Sequence, residues 1–164
     1  MDKRVLVAQL EDKLREIART AHGASVAAAE EAREGATSKE RRADARVALE
    51  YASLAKGQGR RAQRVYQELA TLSAFRAEPL PRGSAVAIGA LVEVDDADTG
   101  EGRTFFLAPV GAGMTLTGPG GDGYLTVVTP SSPIGRAVLG RRTGEVVDVT
   151  VNGDVREWEI TWVG

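Results

Sequence analysis

Apolar residues in the first half of the chain recur at helical spacing. Leu10, Leu14, Ile17, Ala21, Ala24 and Ala28 step by four and three, an a/d seam over nearly three heptads. A second stripe runs through Val47, Tyr51, Leu54, Gln58, Ala62, Val65, Leu69 and Leu72, predicting a helix from about Lys39 to Phe75. Neither segment contains proline. Between them Gly35 stands where a C-cap glycine would, since glycine enters the left-handed region without a Cβ penalty. Thr37-Ser38-Lys39-Glu40 then has the T-x-x-E form of a capping box, with Glu40 as its acidic member. Two helices of about 32 residues, each about 50 Å long, joined by so short a turn make an antiparallel coiled-coil finger. Leu and Ile lie near its two outer ends and alanine dominates toward the turn, so the finger is slim there. Gly57 and Gly59 interrupt the second helix, marking a bend, a close approach, or a tolerated pair.

The period changes after a stretch rich in proline and glycine. Ala77-Glu78-Pro79-Leu80-Pro81-Arg82-Gly83-Ser84 ends the helix and forms a linker. Beyond it, strands are expected at Val86–Ile88, Leu91–Val94 and Arg103–Ala108, the last two around the turn Asp98-Thr99-Gly100-Glu101-Gly102. Further strands are expected at Met114–Leu116, Tyr124–Val128, Glu145–Val151 and Val155–Val163, with a short helix over Ser131–Leu139. Asn152-Gly153 is a two-residue hairpin signal. Alternation puts Trp158, Ile160 and Trp162 on one face of the last strand, packed into the core. The expected organisation is an α+β chain: finger 1–76, linker 77–84, and an antiparallel β domain with one short helix over 85–164.

Composition narrows the chemistry. With 43% hydrophobic and 27% charged residues the chain is globular, and no apolar run reaches the roughly 20 residues that cross a bilayer. No secretory signal is read at the N-terminus, so a cytoplasmic location is expected. Cysteine is absent, which excludes disulfides, thiol catalysis and zinc-thiolate sites. His22 is the one histidine, so a His-rich metal cage or a Ser-His-Asp triad is hard to build. No resident metal, cofactor or small-molecule substrate is expected. Residues 1–78 carry 15 Lys and Arg against 12 Asp and Glu, whereas residues 79–164 carry 6 against 11. That asymmetry fits two units with different tasks but is too small for nucleic-acid binding by bulk charge.

The run Val128-Thr129-Pro130-Ser131-Ser132-Pro133-Ile134-Gly135-Arg136-Ala137-Val138-Leu139-Gly140-Arg141-Arg142-Thr143-Gly144-Glu145-Val146-Val147-Asp148-Val149 resembles the C-terminal signature of the bacterial Gre transcript-cleavage factors (GreA/GreB-like). Upstream, Ile88–Val94 and Asp98-Thr99-Gly100-Glu101 look like the first strand and the D-x-x-T-G-E turn of that family. The resemblance implies a C-terminal domain of the FK506-binding-protein type (FKBP-like) that docks on RNA polymerase. It implies docking through Ser131, Ser132, Pro133, Ile134, Arg136, Arg141 and Arg142, and a finger that enters the polymerase secondary channel, near nascent RNA. Such a protein is an elongation regulator rather than an enzyme, any cleavage being the polymerase's own.

The tip departs from the family pattern. Gre factors carry D-x-x-E in a G-D-x-S-E-N context, and those carboxylates help hold a second Mg²⁺ shared with the polymerase active site. Matching Gly35 and Ser38 places Ala36 and Lys39 at the acidic positions, within a tip of Ala36, Thr37, Ser38, Lys39, Glu40, Arg41, Arg42 and Asp44. Alanine supplies no ligand and lysine repels a cation. Glu40 and Asp44, at i,i+4 among Lys39, Arg41 and Arg42, are the remaining catalytic candidates, and Glu40 has its capping role as the competing explanation. Three functions stay open: a non-cleaving channel binder, a cleavage stimulator using Glu40 and Asp44, and a coiled-coil adaptor with a protein-binding C-terminal domain.

Overall fold

The computed structural model describes residues 2–34, 43–121, 123–151 and 153–164, without the side chains of Glu34, Ala43, Asp44 and Val151. Helix α1 spans Arg4–Glu34 and α2 spans Ala43–Ala74. Strands β1 (Leu91–Asp96), β2 (Gly102–Leu107), β3 (Thr115–Thr117) and β4 (Tyr124–Val128) precede the short helix α3 (Pro133–Val138). Strands β5 (Val146–Val151) and β6 (Asp154–Val163) follow it. The chain divides into two compact units, one of Asp12–Ala70 and one of Met1–Glu11 with Thr71–Gly164. The roots of both helices therefore belong with the β unit.

Within the Asp12–Ala70 unit, Leu14, Ala18, Ala21 and Ala28 of α1 are buried, as are Ala62 and Val65 of α2. The expected stripe needs adjusting at two places. Ile17 is only half-buried and Ala18 takes the inner position, while Ala24 is exposed and Ser25 turns inward. Consecutive four-residue steps from Leu6 through Leu10 and Leu14 to Ala18 each overshoot a full turn by about 40°, which rotates the buried stripe away from the strict heptad positions. The Ser25 hydroxyl donates to the Ala55 carbonyl at 2.9 Å. Opposite it, a Cβ on Gly59 would lie 3.3 Å from Ser25 Oγ, so Gly59 marks a close approach of the two helices. α2 runs unbroken through Gly57 and Gly59. The expected core positions Val47, Tyr51 and Leu54 are exposed instead, because alanines on the facing helix cover little surface.

The second unit is a six-stranded sheet in the order β3-β4-β2-β1-β6-β5. It is mixed rather than wholly antiparallel, because β2 and β4 run parallel, Phe105 opposite Thr126 and Leu107 opposite Val128. The chain returns to β2 through the glycine-rich loop and β3, a crossover that a tight hairpin would not allow. Val86–Ile88 is not a strand. Val86 instead donates to the Arg141 carbonyl at 2.7 Å and accepts from Gly140 at 2.8 Å.

One sheet face carries Val92, Val94, Phe105, Leu107, Val128, Val147, Val149, Trp158 and Ile160, against which Ile134, Ala137 and Val138 of α3 pack. Phe105 and Trp158 stack with centroids 5.6 Å apart, and the Arg103 guanidinium lies 5.8 Å from the Trp158 ring centre. Trp162 is not on that face. The β1–β6 register slips between Glu93 and Val94, pairing Val94 with Ile160 but Glu93 with Trp162. This bulge reverses the alternation and turns Trp162, 38% exposed, to the opposite side.

On the opposite side Leu91, Phe106, Leu116, Leu125 and Val127 are buried, and the helix roots contribute Leu6, Leu10 and Leu72 to the same unit. A Cβ on Gly111 would meet Leu10 Cδ1 at 2.6 Å, so the glycine lets the root of α1 sit close to the loop before β3. Gln9 forms a two-point pair with the edge strand: it accepts from the Thr117 amide at 2.9 Å and donates to the Thr117 carbonyl at 3.1 Å. That pairing occupies backbone groups a sheet edge would otherwise leave open. The Lys3 ammonium, buried, donates to the Gly164 carbonyl at 3.4 Å.

Candidate functional site

The signature run forms a capped turn of helix held against the sheet. Ser132 is the N-cap of α3: its hydroxyl accepts from the Gly135 amide at 3.0 Å and donates to the Thr129 carbonyl at 2.8 Å. Pro133 occupies the first turn, where its missing N–H costs nothing. Thr129 Oγ1 and Ser131 Oγ are 3.1 Å apart, which ties the loop before the cap. Gly135 is dictated by space. A Cβ there would fall 1.9 Å from the Thr129 carbonyl oxygen.

After α3 the chain is locked again. Glu145 accepts from the Arg142 amide at 2.5 Å and from Arg141 Nη1 at 3.3 Å. Arg142 Nη1 donates to the Gly83 carbonyl, joining this loop to the linker. Of the seven residues that the resemblance implies for docking, Ser131, Ser132, Ile134, Arg141 and Arg142 have internal partners, Ser131 through the Thr129 hydroxyl and Ile134 through its packing on the core. Ser131, Pro133 and Arg136 are exposed, and Arg136 makes no side-chain hydrogen bond or ion pair among the described residues. Leu139, 42% exposed, adds an apolar group beside them. The surface on offer is a short polar and apolar ridge with one free guanidinium.

Sequence reasoning missed Asp96, the residue that builds the turn after β1. Its carboxylate accepts from the Asp98 and Thr99 amides at 3.0 and 2.9 Å and meets Arg156 at 3.4 Å. The Thr99 amide above all holds its pKa below the ordinary carboxylate value, against the opposing effect of burial. Asp96, three residues before Thr99, is the first position of D-x-x-T-G-E, a spacing that could have revealed it.

The expectations placed on Gly35, on the capping box, and on Ala36, Thr37, Ser38, Lys39, Glu40, Arg41 and Arg42 lie outside the described residues, as does the side chain of Asp44. Asn152 also lies outside them. Among the described residues no three His, Asp or Glu side chains are grouped so as to hold a metal ion. No described helix is long and apolar enough to cross a membrane.

Two long helices, a small mixed sheet and the capped α3 make this an α+β chain. Residues 81–164 match the family model described as "Transcription elongation factor, GreA/GreB, C-term". The chain belongs to the GreA/GreB family of transcription elongation factors. It is 29% identical over 115 residues to transcription elongation factor GreA of Thermotoga neapolitana, covering 70% of this chain and 69% of that one. It is 36% identical over 86 residues to GreA of Phenylobacterium zucineum, covering 49% and 46% of the two chains. Among solved structures, Gfh1 of Thermus aquaticus aligns with a TM-score of 0.41 at 21% identity, over 95% of this chain and 92% of that chain. The GreA/GreB factor of Nitrosomonas europaea aligns with a TM-score of 0.37 at 20% identity, over 62% and 78%.

Proposed function

We propose that the protein binds RNA polymerase through its C-terminal unit, inserts the coiled-coil finger into the secondary channel, and modulates elongation without stimulating RNA cleavage. The observation that carries this reading is the pair Ala36 and Lys39 at the positions where the Gre pattern D-x-x-E has its two acids. Cleavage of that type needs ionised carboxylates close enough to share a cation with the polymerase. A lysine about 4 Å from a second cation opposes it by about 4 kcal/mol at an effective dielectric of 20, and even 1.4 kcal/mol is tenfold in rate. The basic groups Lys39, Arg41 and Arg42 suit contact with acidic groups or RNA phosphates instead. Docking is assigned to the ridge of Ser131, Pro133 and Arg136, with Ser132, Ile134, Arg141 and Arg142 shaping it. The protein itself is no enzyme in this reading and needs no cofactor beyond the polymerase's own Mg²⁺. A cytoplasmic location follows from the partner.

The test is transcript cleavage on backtracked polymerase complexes. Wild type leaves the RNA at its basal cleavage rate, and Ala36→Asp combined with Lys39→Glu raises that rate. Strong Mg²⁺-dependent cleavage by wild type, abolished by Glu40→Ala or Asp44→Ala, would establish the stimulator reading instead. Failure of wild type to bind polymerase at all would favour the adaptor.

A further inference from the structure

The sheet surface turned away from α3 carries a pattern that folding alone does not explain. Strand register places Glu93 and Asp95 of β1, Glu157 and Glu159 of β6, and Asp148 of β5 on this one side. Asp95 stands directly opposite Glu159, and Asp148 directly opposite Glu157. Like charges at directly opposed positions destabilise a sheet. None of the five has a side-chain hydrogen bond or ion pair among the described residues, whereas Asp96 on the other side is fully partnered.

Four cations of the same unit are committed elsewhere. Arg103 pairs with Glu101, Arg141 with Glu145 and Arg156 with Asp96, while Arg142 holds the Gly83 carbonyl. The free Arg136 lies on α3, and none of these cations forms an ion pair with the acidic face among the described residues.

A groove of mixed polar and apolar lining continues this face. Leu91 and Leu125, both buried, lie in it with Glu93, Thr104, Pro119, Tyr124 and Trp162 around them. Tyr124 is 80% exposed. Trp162 reaches the groove only because of the bulge, which spends sheet regularity to place an indole beside a carboxylate. Val146 and Val155 add exposed aliphatic surface along the acidic strands.

We propose that this face docks a basic segment of a partner protein, with one arginine or lysine side chain seated in the groove against Trp162 and Tyr124 and its charge on Glu93. An aromatic wall attracts a cation through its quadrupole, and the aliphatic stem of such a side chain lies along the exposed Tyr124 and Trp162 rings. The remaining carboxylates meet neighbouring basic residues of the segment and lose their mutual repulsion. Nucleic acid is excluded as the occupant by the sign of the charge. The face lies on the opposite side of the sheet from α3, so the proposal stands independently of the polymerase-docking ridge.

The test titrates the isotopically labelled full chain with an arginine octapeptide and follows amide and indole resonances. Shifts should concentrate at residues 93–95, 146–148 and 157–162, with the Trp162 indole moving and the buried Trp158 indole unmoved. Glu93→Gln combined with Glu159→Gln should weaken binding at least fivefold, as should Trp162→Ala, while Glu30→Gln combined with Glu31→Gln on α1 leaves it unchanged. Glu159→Gln should melt no lower than wild type, since it relieves a repulsion. Shifts spread over every exposed acid, equal affinity in all variants, or self-association of the chain through this face without peptide would overturn the proposal. A clear loss of stability in Glu159→Gln would count against it equally, by revealing a native partner for that carboxylate.

Discussion

Replacing Gly135 by alanine tests whether the signature run is shaped by steric necessity. The added methyl would lie 1.9 Å from the Thr129 carbonyl oxygen, 2.7 Å from its carbon and 3.0 Å from Ser132 Oγ. Ordinary contact needs about 3.5 Å, so the loop and the start of α3 must separate by about 1.5 Å. That movement breaks the Ser132 cap, which both accepts from Gly135 and donates to Thr129. Loss of an N-cap costs about 1 kcal/mol and forced overpacking about 1–3 kcal/mol, a total of about 2–4 kcal/mol. For a unit near 100 residues each kcal/mol moves Tm by roughly 4–8 °C, so a fall of at least about 8 °C is expected. Calorimetry alongside near-ultraviolet circular dichroism of the packed Trp158 would measure it. Gly113→Ala is the control: nothing lies within 4 Å of that position, but its φ of +83° imposes a purely conformational cost of about 1–2 kcal/mol. A Gly135→Ala shift below about 3 °C, or one no larger than the control, would refute the steric account.

Three further outcomes follow from single contacts. Gln9→Ala removes both hydrogen bonds to Thr117 and should lower the Tm of the β unit, by about 1 kcal/mol per bond at most, with faster hydrogen exchange at Thr117 as the specific readout. Asp96 has a folded-state pKa below its unfolded value, so its stabilisation is present above about pH 4 and is lost as pH falls through the folded pKa. The Tm advantage of wild type over Asp96→Asn should accordingly be full at pH 7 and shrink under acid, and a constant gap would contradict the assignment. Burial lowers the pKa of Lys3, so the unfolded chain binds that proton more tightly and wild-type stability rises with pH toward the ordinary lysine range. Lys3→Met should therefore melt higher than wild type at pH 7, with the difference narrowing at alkaline pH.

The sequence made the repetitive parts of this fold readable and left the exceptions hidden. Helical period placed α1 and α2, and alternation placed β1, β2, β4, β5 and β6, because within each unit those residues face its interior through regular backbone. The same alternation misassigned Trp162, since one bulge opposite Glu93 and Val94 reverses every side chain beyond it. Val86–Ile88 looked like a strand because it is apolar, yet Gly89 has a φ of +98°, Val86 pairs with the exit of α3, and the Ala87 carbonyl accepts from the Ala90 amide in a turn. Val47, Tyr51 and Leu54 kept the right spacing, but burial depends on what stands opposite, and small residues there leave them exposed. In the candidate site the signature run and its short helix were legible as a motif, without the Ser132 cap. The internal commitments of Arg141 and Arg142 were not, because their partners Glu145 and Gly83 come together only through the loop geometry.

The central claim is that this family member occupies polymerase without cutting RNA. One measurement addresses both halves: fluorescently labelled protein is added to backtracked elongation complexes, and bound protein and RNA length are followed in the same sample. The account predicts saturable binding, weakened by Arg136→Ala, while the RNA stays at full length for as long as in complexes without the protein. Saturable binding accompanied by prompt Mg²⁺-dependent shortening of the RNA would contradict it.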